Sequence, residues 1–325
     1  MKKRAGTIIK LIIGLAILVW LIIKCDPAEM LEVLKRIHPL PVAGACLVFL
    51  GGVVFSAYPW KMLMPVHKLE LSAREAIELS LMSFCVNNLL PGGLGGDALR
   101  AWAFMKKTAR PEPCAATVLL DRWLAFVCLI FIVIIITVYK WEQIAQIGLL
   151  QVMFGVLAVF AVMFAVSLIM FAGGLKFLKK PLEKIRFGTT AAGFSESLLE
   201  YCHHLKTVAL CLILTSVTPI LDALGFWFLG LSLDNSCPFW SYVLMIPVLR
   251  VIHHIPVSVN AVGTQDAACI FYWGAFGVGS AEALTMSMAA HALKILAALI
   301  SGAIYMISWR GRLDWYEAEE NINNS

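Results

Sequence analysis

Long apolar stretches, almost free of charge, alternate along this chain with short segments that hold most of the charged residues. Six stretches are near the length that crosses a bilayer core: 8–23, 40–59, 114–138, 148–171, 207–231 and 284–308. A crossing takes about 20 apolar residues in a helix, so the pattern predicts about six full transmembrane helices. Two further apolar regions are broken midway. Residues 73–104 are interrupted by "PGGLGGD", and residues 239–276 by "PVSVNAVGTQD". Each fragment is too short or too polar for an ordinary span, which predicts two re-entrant helical hairpins. The fold class expected is an all-α polytopic membrane protein.

Charge sets the orientation. With the N-terminus in the cytoplasm and each hairpin leaving on the side where it entered, eighteen of the 26 basic residues fall in cytoplasmic segments and four outside. That bias follows the positive-inside rule and places both termini in the cytoplasm of a cytoplasmic (inner) membrane. The same arrangement makes two inverted units of one membrane domain, 1–325. Residues 1–39 form the first span and an outer loop. Residues 40–138 form repeat 1, with a hairpin at 73–106. Residues 139–206 hold a connecting span and a basic cytoplasmic loop. Residues 207–312 form repeat 2, with a hairpin at 239–278, and 313–325 a cytoplasmic tail. Inverted repeats with discontinuous helices at matching places put a transport site where the breaks meet.

Composition agrees: 60% of 325 residues are hydrophobic and 14% charged, against roughly half and a quarter in soluble domains. The net charge of +5 sits beside apolar spans, where it sets topology and meets anionic lipid; it does not point to nucleic acid. The nine cysteines include no C-x-x-C spacing and read as small buried hydrophobes, with a Cys25–Cys237 disulfide the weaker alternative. No metal site or cofactor is expected. The basic, then apolar, N-terminus lacks a small-x-small cleavage site and reads as an uncleaved span. Trp20, Tyr58, Trp60, Tyr139, Trp141 and Trp309 suit interface anchoring. No P-loop, H-E-x-x-H or G-x-S-x-G is present, so an enzyme is the less favoured class.

The chemistry concentrates at the breaks. Non-helical backbone at membrane depth survives only under protein cover or beside water. In "VNNLLPGGLGGDALRAW", Asn87, Asn88, Gly95 and Gly96 border a tight turn, Asp97 can cap the helix that follows, and Arg100 lies one turn on. A helix N-terminus with an arginine suits a phosphate; the alternative is a structural Asp97–Arg100 pair. Asp121 and Arg122 each need a partner elsewhere, and Arg100 is a candidate for Asp121. On the other side, Arg250, His253 and His254 precede the second break and suit a polar lining. Asp266 ends that break. Lys294 stands in the last span, one turn after His291, with Asp222 available to neutralise it. Charges in a membrane default to functional hypotheses, the alternative being buried ion pairs.

On "NNLLPGGLGGDALRAW", "AATVLLDRW" and "PVSVNAVGTQDA" the chain resembles the flippase-like family of the lysylphosphatidylglycerol synthase transmembrane region. The resemblance covers most of the chain. In the third motif Asn260 and Ala261 stand where glycines are common in the family. In members fused to a soluble aminoacyl-transferase domain, the membrane part resembles a lipid flippase. No stretch here is long and polar enough to be that domain, so the resemblance implies lipid handling and not lysyl transfer. The function expected is a flippase or transporter for a polar lipid, anionic or isoprenoid-phosphate. The alternative is a membrane-embedded transferase, or an accessory subunit, acting on envelope lipids or polyprenyl-linked glycans. The partner expected is a membrane lipid substrate; a homo-oligomer or a soluble transferase partner stays open.

Overall fold

A computed structural model describes residues 15–89, 95–108, 110–182, 188–254 and 258–323. The described residues are helical throughout, with no strand among them. The order is α1 (Leu15–Lys24), α2 (Pro27–Lys35), α3 (Pro39–Phe55), α4 (Ala57–Leu63), a short 3₁₀ turn (Met64–His67), α5 (Ala73–Leu89), α6 (Gly95–Thr108) and α7 (Pro111–Tyr139). There follow α8 (Trp141–Gln146), α9 (Leu150–Leu182), α10 (Gly188–Glu200), α11 (Leu205–Leu231), α12 (Phe239–His254), α13 (Thr264–Gly274) and α14 (Ser280–Asn323). Proline opens α2, α3 and α7, where its missing N–H costs no hydrogen bond.

Four helical stretches are long and apolar enough to cross a membrane: Pro39–His67, Glu112–Tyr139, Leu205–Leu231 and Ser280–Ser308. In each, no more than 33% of the most apolar window is buried within the protein. Leu47, Ile135, Ile213 and Ile307 are among the large apolar side chains left exposed, a surface that lipid would cover. The other two expected spans are apolar helices too, but their described stretches, Leu15–Lys24 and Leu150–Val166, are shorter. Several expected loops are helical instead. The segment 172–206 contains the end of α9 and all of α10, and the tail continues α14 to Asn323. Sequence reading classed these segments by charge, but charge decides where a segment sits and not whether its backbone coils.

The centre is built on α3 against α11. Phe49 and Phe226 meet edge to face, ring centroids 6.1 Å apart. Gly225 makes room for them, since a Cβ there would stand 2.4 Å from the Phe49 ring. The pair α5–α6 packs together, as does the pair α12–α13; the connecting residues 90–94 and 255–257 lie outside the described residues. Helix contacts then come in matched sets. α5 packs on α14 and α12 on α7; α6 packs on α7 and α13 on α14; α14 packs on α3 and α7 on α11. Exchanging α3, α5, α6 and α7 with α11, α12, α13 and α14 maps each contact onto its counterpart.

Candidate functional site

The first cluster lies where α6 meets α7. The start of α6 is pressed onto α5: a Cβ on Gly96 would stand 2.0 Å from the Ser83 carbonyl oxygen. The Gly96 N–H donates to Asn87 Oδ1 at 2.7 Å. Asn87 therefore caps α6 from the neighbouring helix. Asp97, expected to do so, lies inside the first turn and turns its carboxylate to other partners. Asn88 Nδ2 donates to the Phe84 carbonyl at 2.9 Å. Among the described residues, a Cβ on Gly95 would meet Val86 at an ordinary 3.6 Å.

Four charges then close a ring. Asp97 Oδ1 is 3.0 Å from Arg122 Nη2 and 3.7 Å from Arg100 Nη2. Asp121 Oδ2 is 3.1 Å from Arg100 Nη2 and 3.3 Å from Arg122 Nη2. The expected Arg100–Asp121 contact is present. Asp121 and Arg122, neighbours in sequence, also touch, because the long arginine chain curls back. The Ser83 hydroxyl donates to Asp97 Oδ1 at 3.3 Å. Signs alternate around the ring and cancel. The arginines differ in exposure: the Arg100 side chain is 3% exposed and that of Arg122 46%. Arg100 also lies over the Trp60 ring, 4.4 Å from its centroid. Trp60 is fully buried and serves this stack, correcting its assignment as an interface anchor. No sequence spacing links it to Arg100; only the packing of α4 does so.

The second cluster lies among α11, α12, α13 and α14. Asp222 Oδ2 is 2.5 Å from Arg250 Nη2. Asp222 thus pairs directly with Arg250, while Lys294, which it was expected to neutralise, lies beyond ion-pair distance from it. The Lys294 ammonium sits over the rings of Phe49 and Phe226, 5.4 and 5.2 Å from their centroids. Lys294 has no acid within 4.0 Å among the described residues. Arg250 is half exposed, like Arg122. His253 and His254 are exposed, and each turns Nδ1 back to a carbonyl of its own helix. Asp266 is fully buried. Its Oδ2 accepts the Gly263 N–H at 2.8 Å and its Oδ1 the Ser287 hydroxyl at 2.6 Å. His291 Nε2 lies 3.5 Å from the same Oδ1. Gln265 Nε2 donates to Ser287 Oγ at 3.2 Å.

The clusters are tied at the helix breaks. Asn260 Nδ2 donates to the Asn88 carbonyl. Asn260 and Ala261 have φ of 50° and 57°, the left-handed region that favours glycine. All nine cysteines are free, including Cys25 and Cys237, so the alternative disulfide is not formed. No group of three metal-ligating side chains occurs among the described residues.

No curated protein matches this chain, and no solved structure does. One family description does match. Motifs that form the first cluster and the cross-tied breaks fall inside the match, and so do the four apolar helices through most of their length. The match runs over residues 7–302 to the lysylphosphatidylglycerol synthase TM region, and the chain belongs to that family of multi-pass membrane proteins.

Proposed function

We propose that this protein moves a polar lipid, anionic or isoprenoid-phosphate, across the cytoplasmic membrane. In this reading α5–α6 and α12–α13 are re-entrant hairpins of an inverted repeat, entering from opposite sides. α1 and α9 supply the remaining two of six spans, and both termini lie in the cytoplasm. The observation that carries the reading is the charged ring at the start of α6, tied through Asn88 and Asn260 to the second break. Arg122 lies about 15 Å along its span from Glu112, at 1.5 Å per residue, and Lys294 is central in Ser280–Ser308. Charges at such depth are retained where they meet substrate.

Head-group capture falls to the cations with free donors. Arg122 meets Asp97 and Asp121 through one nitrogen, Arg250 meets Asp222 through one, and both arginines are half exposed. Arginine carries five donors in a fork that fits phosphate, so donors remain. Lys294, over the rings of Phe49 and Phe226, adds a charge with no acid within 4.0 Å among the described residues. Arg100, enclosed by two aspartates and Trp60, positions Arg122 and does not contact lipid. Acyl tails stay in the bilayer while the head group passes between the breaks.

The test is reconstitution into phosphatidylcholine liposomes containing head-group-labelled phosphatidylglycerol, with a membrane-impermeant quencher outside. Protein should make inner-leaflet label accessible, and Arg122→Gln with Arg250→Gln should abolish this at normal protein level. Labelled lipid that stays protected in the presence of folded wild-type protein would refute the transport reading.

A further inference from the structure

The two clusters differ in one chemical respect. Around the first ring both cations are arginines, which do not release protons in proteins. In the second, the buried acid Asp266 faces a histidine. His291 Nε2 is 3.5 Å from Asp266 Oδ1 and has no hydrogen-bond partner among the described residues. Ser287 and His291, one turn apart on α14, both address that oxygen. At that separation the two groups are not hydrogen-bonded, but a proton taken up by either would draw them together, the imidazolium donating to the carboxylate or the carboxylic acid to the imidazole.

Charge balance says when that proton is wanted. Arg250 and Lys294 offset Asp222 and Asp266, so the second cluster is neutral when its histidines are neutral. The first ring, with two arginines and two aspartates, is balanced in sign. An anionic head group entering between them would add an uncompensated charge in a medium where charge is costly. One proton on the Asp266–His291 pair restores neutrality.

Of the acids on the elements packed around His291, Asp266 is the one within 4.0 Å of its ring among the described residues. α13 contributes Asp266, α11 Asp222, and α12 Arg250, His253 and His254. Within its apolar stretch, Ser280–Ser308, α14 itself carries Lys294 and, toward Ser280, Glu282. α3 has no charged residue. Glu29, Glu32 and Lys35 of α2 and Lys24 of α1 are exposed. Arg74, Glu75 and Glu78 of α5 lie at its end away from the break.

We propose that Asp266 and His291 form a proton-binding site whose occupancy is linked to capture of an anionic head group. The linkage rests on the lipid-transport reading; the proton site itself does not. Purified protein in weakly buffered detergent, with a pH indicator, is mixed with phosphatidylglycerol or phosphatidylcholine near neutral pH. Linkage predicts uptake of up to about one proton per chain with bound phosphatidylglycerol, and none with phosphatidylcholine. His291→Gln and His291→Arg should both abolish uptake. The arginine variant keeps a cation beside Asp266 and so guards against misfolding of the glutamine variant. Phosphatidylglycerol that binds without proton uptake, or uptake unchanged in both variants, overturns the proposal.

If neither lipid binds, the head-group reading fails and the proton site is decided by nitrogen NMR of labelled histidine. A shared proton requires His291 to titrate, with a midpoint that moves in Asp266→Asn. A midpoint indifferent to Asp266 overturns the site.

Discussion

Replacing Gly96 with alanine adds one methyl group where α6 crosses α5. The new Cβ would stand 2.0 Å from the Ser83 carbonyl oxygen, 2.7 Å from its carbon and 2.8 Å from Asn87 Cγ. Two of these atoms are backbone and cannot rotate away. Non-bonded carbon contacts settle at about 3.5–4.0 Å, so the helices must part by more than about 1 Å. Overpacking of this kind costs about 1–3 kcal/mol. Parting the helices also weakens the 2.7 Å cap from Gly96 to Asn87, a further loss of about 0.5–1.5 kcal/mol. The total, about 1.5–4.5 kcal/mol, lowers the folded-to-unfolded ratio roughly 10- to 2,000-fold. Gly95→Ala is the control, because among the described residues its Cβ would meet Val86 alone, at 3.6 Å. The assay is thermal unfolding of both variants in the same detergent, with membrane level as a second measure. Gly96→Ala should unfold well below wild type and Gly95→Ala within a degree or two of it. Equal unfolding temperatures for the two variants would refute the close α5–α6 crossing.

Arg100→Gln strands Asp121 in a buried setting, a loss of about 3–5 kcal/mol that should appear as low membrane abundance; Arg100→Gln with Asp121→Asn should recover it, measured by quantitative immunoblot. Arg122→Gln should keep abundance closer to wild type, since Arg122 is half exposed, while native mass spectrometry shows less co-purified anionic lipid. Ala261→Gly should raise the unfolding midpoint, because a non-glycine residue at φ 57° is strained by about 1–2 kcal/mol. Gly225→Ala should lower it by displacing the Phe49 ring, and should also disturb the aromatic bed under Lys294.

Reading along the sequence was sufficient to place the four helices long and apolar enough to cross, because a helix in a bilayer must satisfy its own backbone and present roughly 20 apolar residues. Both are properties of contiguous residues. The two breaks were legible for the same reason, since proline, glycine and charge interrupt an apolar run visibly. One pairing, Arg100 with Asp121, was found because few charges exist there to choose from. The rest depended on which helices touch, and that is a property of distant residues. Gly95 and Gly96 look equivalent in sequence, yet only Gly96 lies under Ser83. Asp222 was as available to Lys294 as to Arg250 until the crossing of α11 and α12 joined it to Arg250. Trp60 resembles any aromatic near a span end until α4 brings it under a buried arginine. The unpaired Lys294, the Asp266–His291 contact and the Asn88–Asn260 tie span separations of 25 residues or more. The chain alone determined where charge interrupts the apolar helices. The packing of small against large side chains decided which charges neutralise one another and which remain free to meet a ligand.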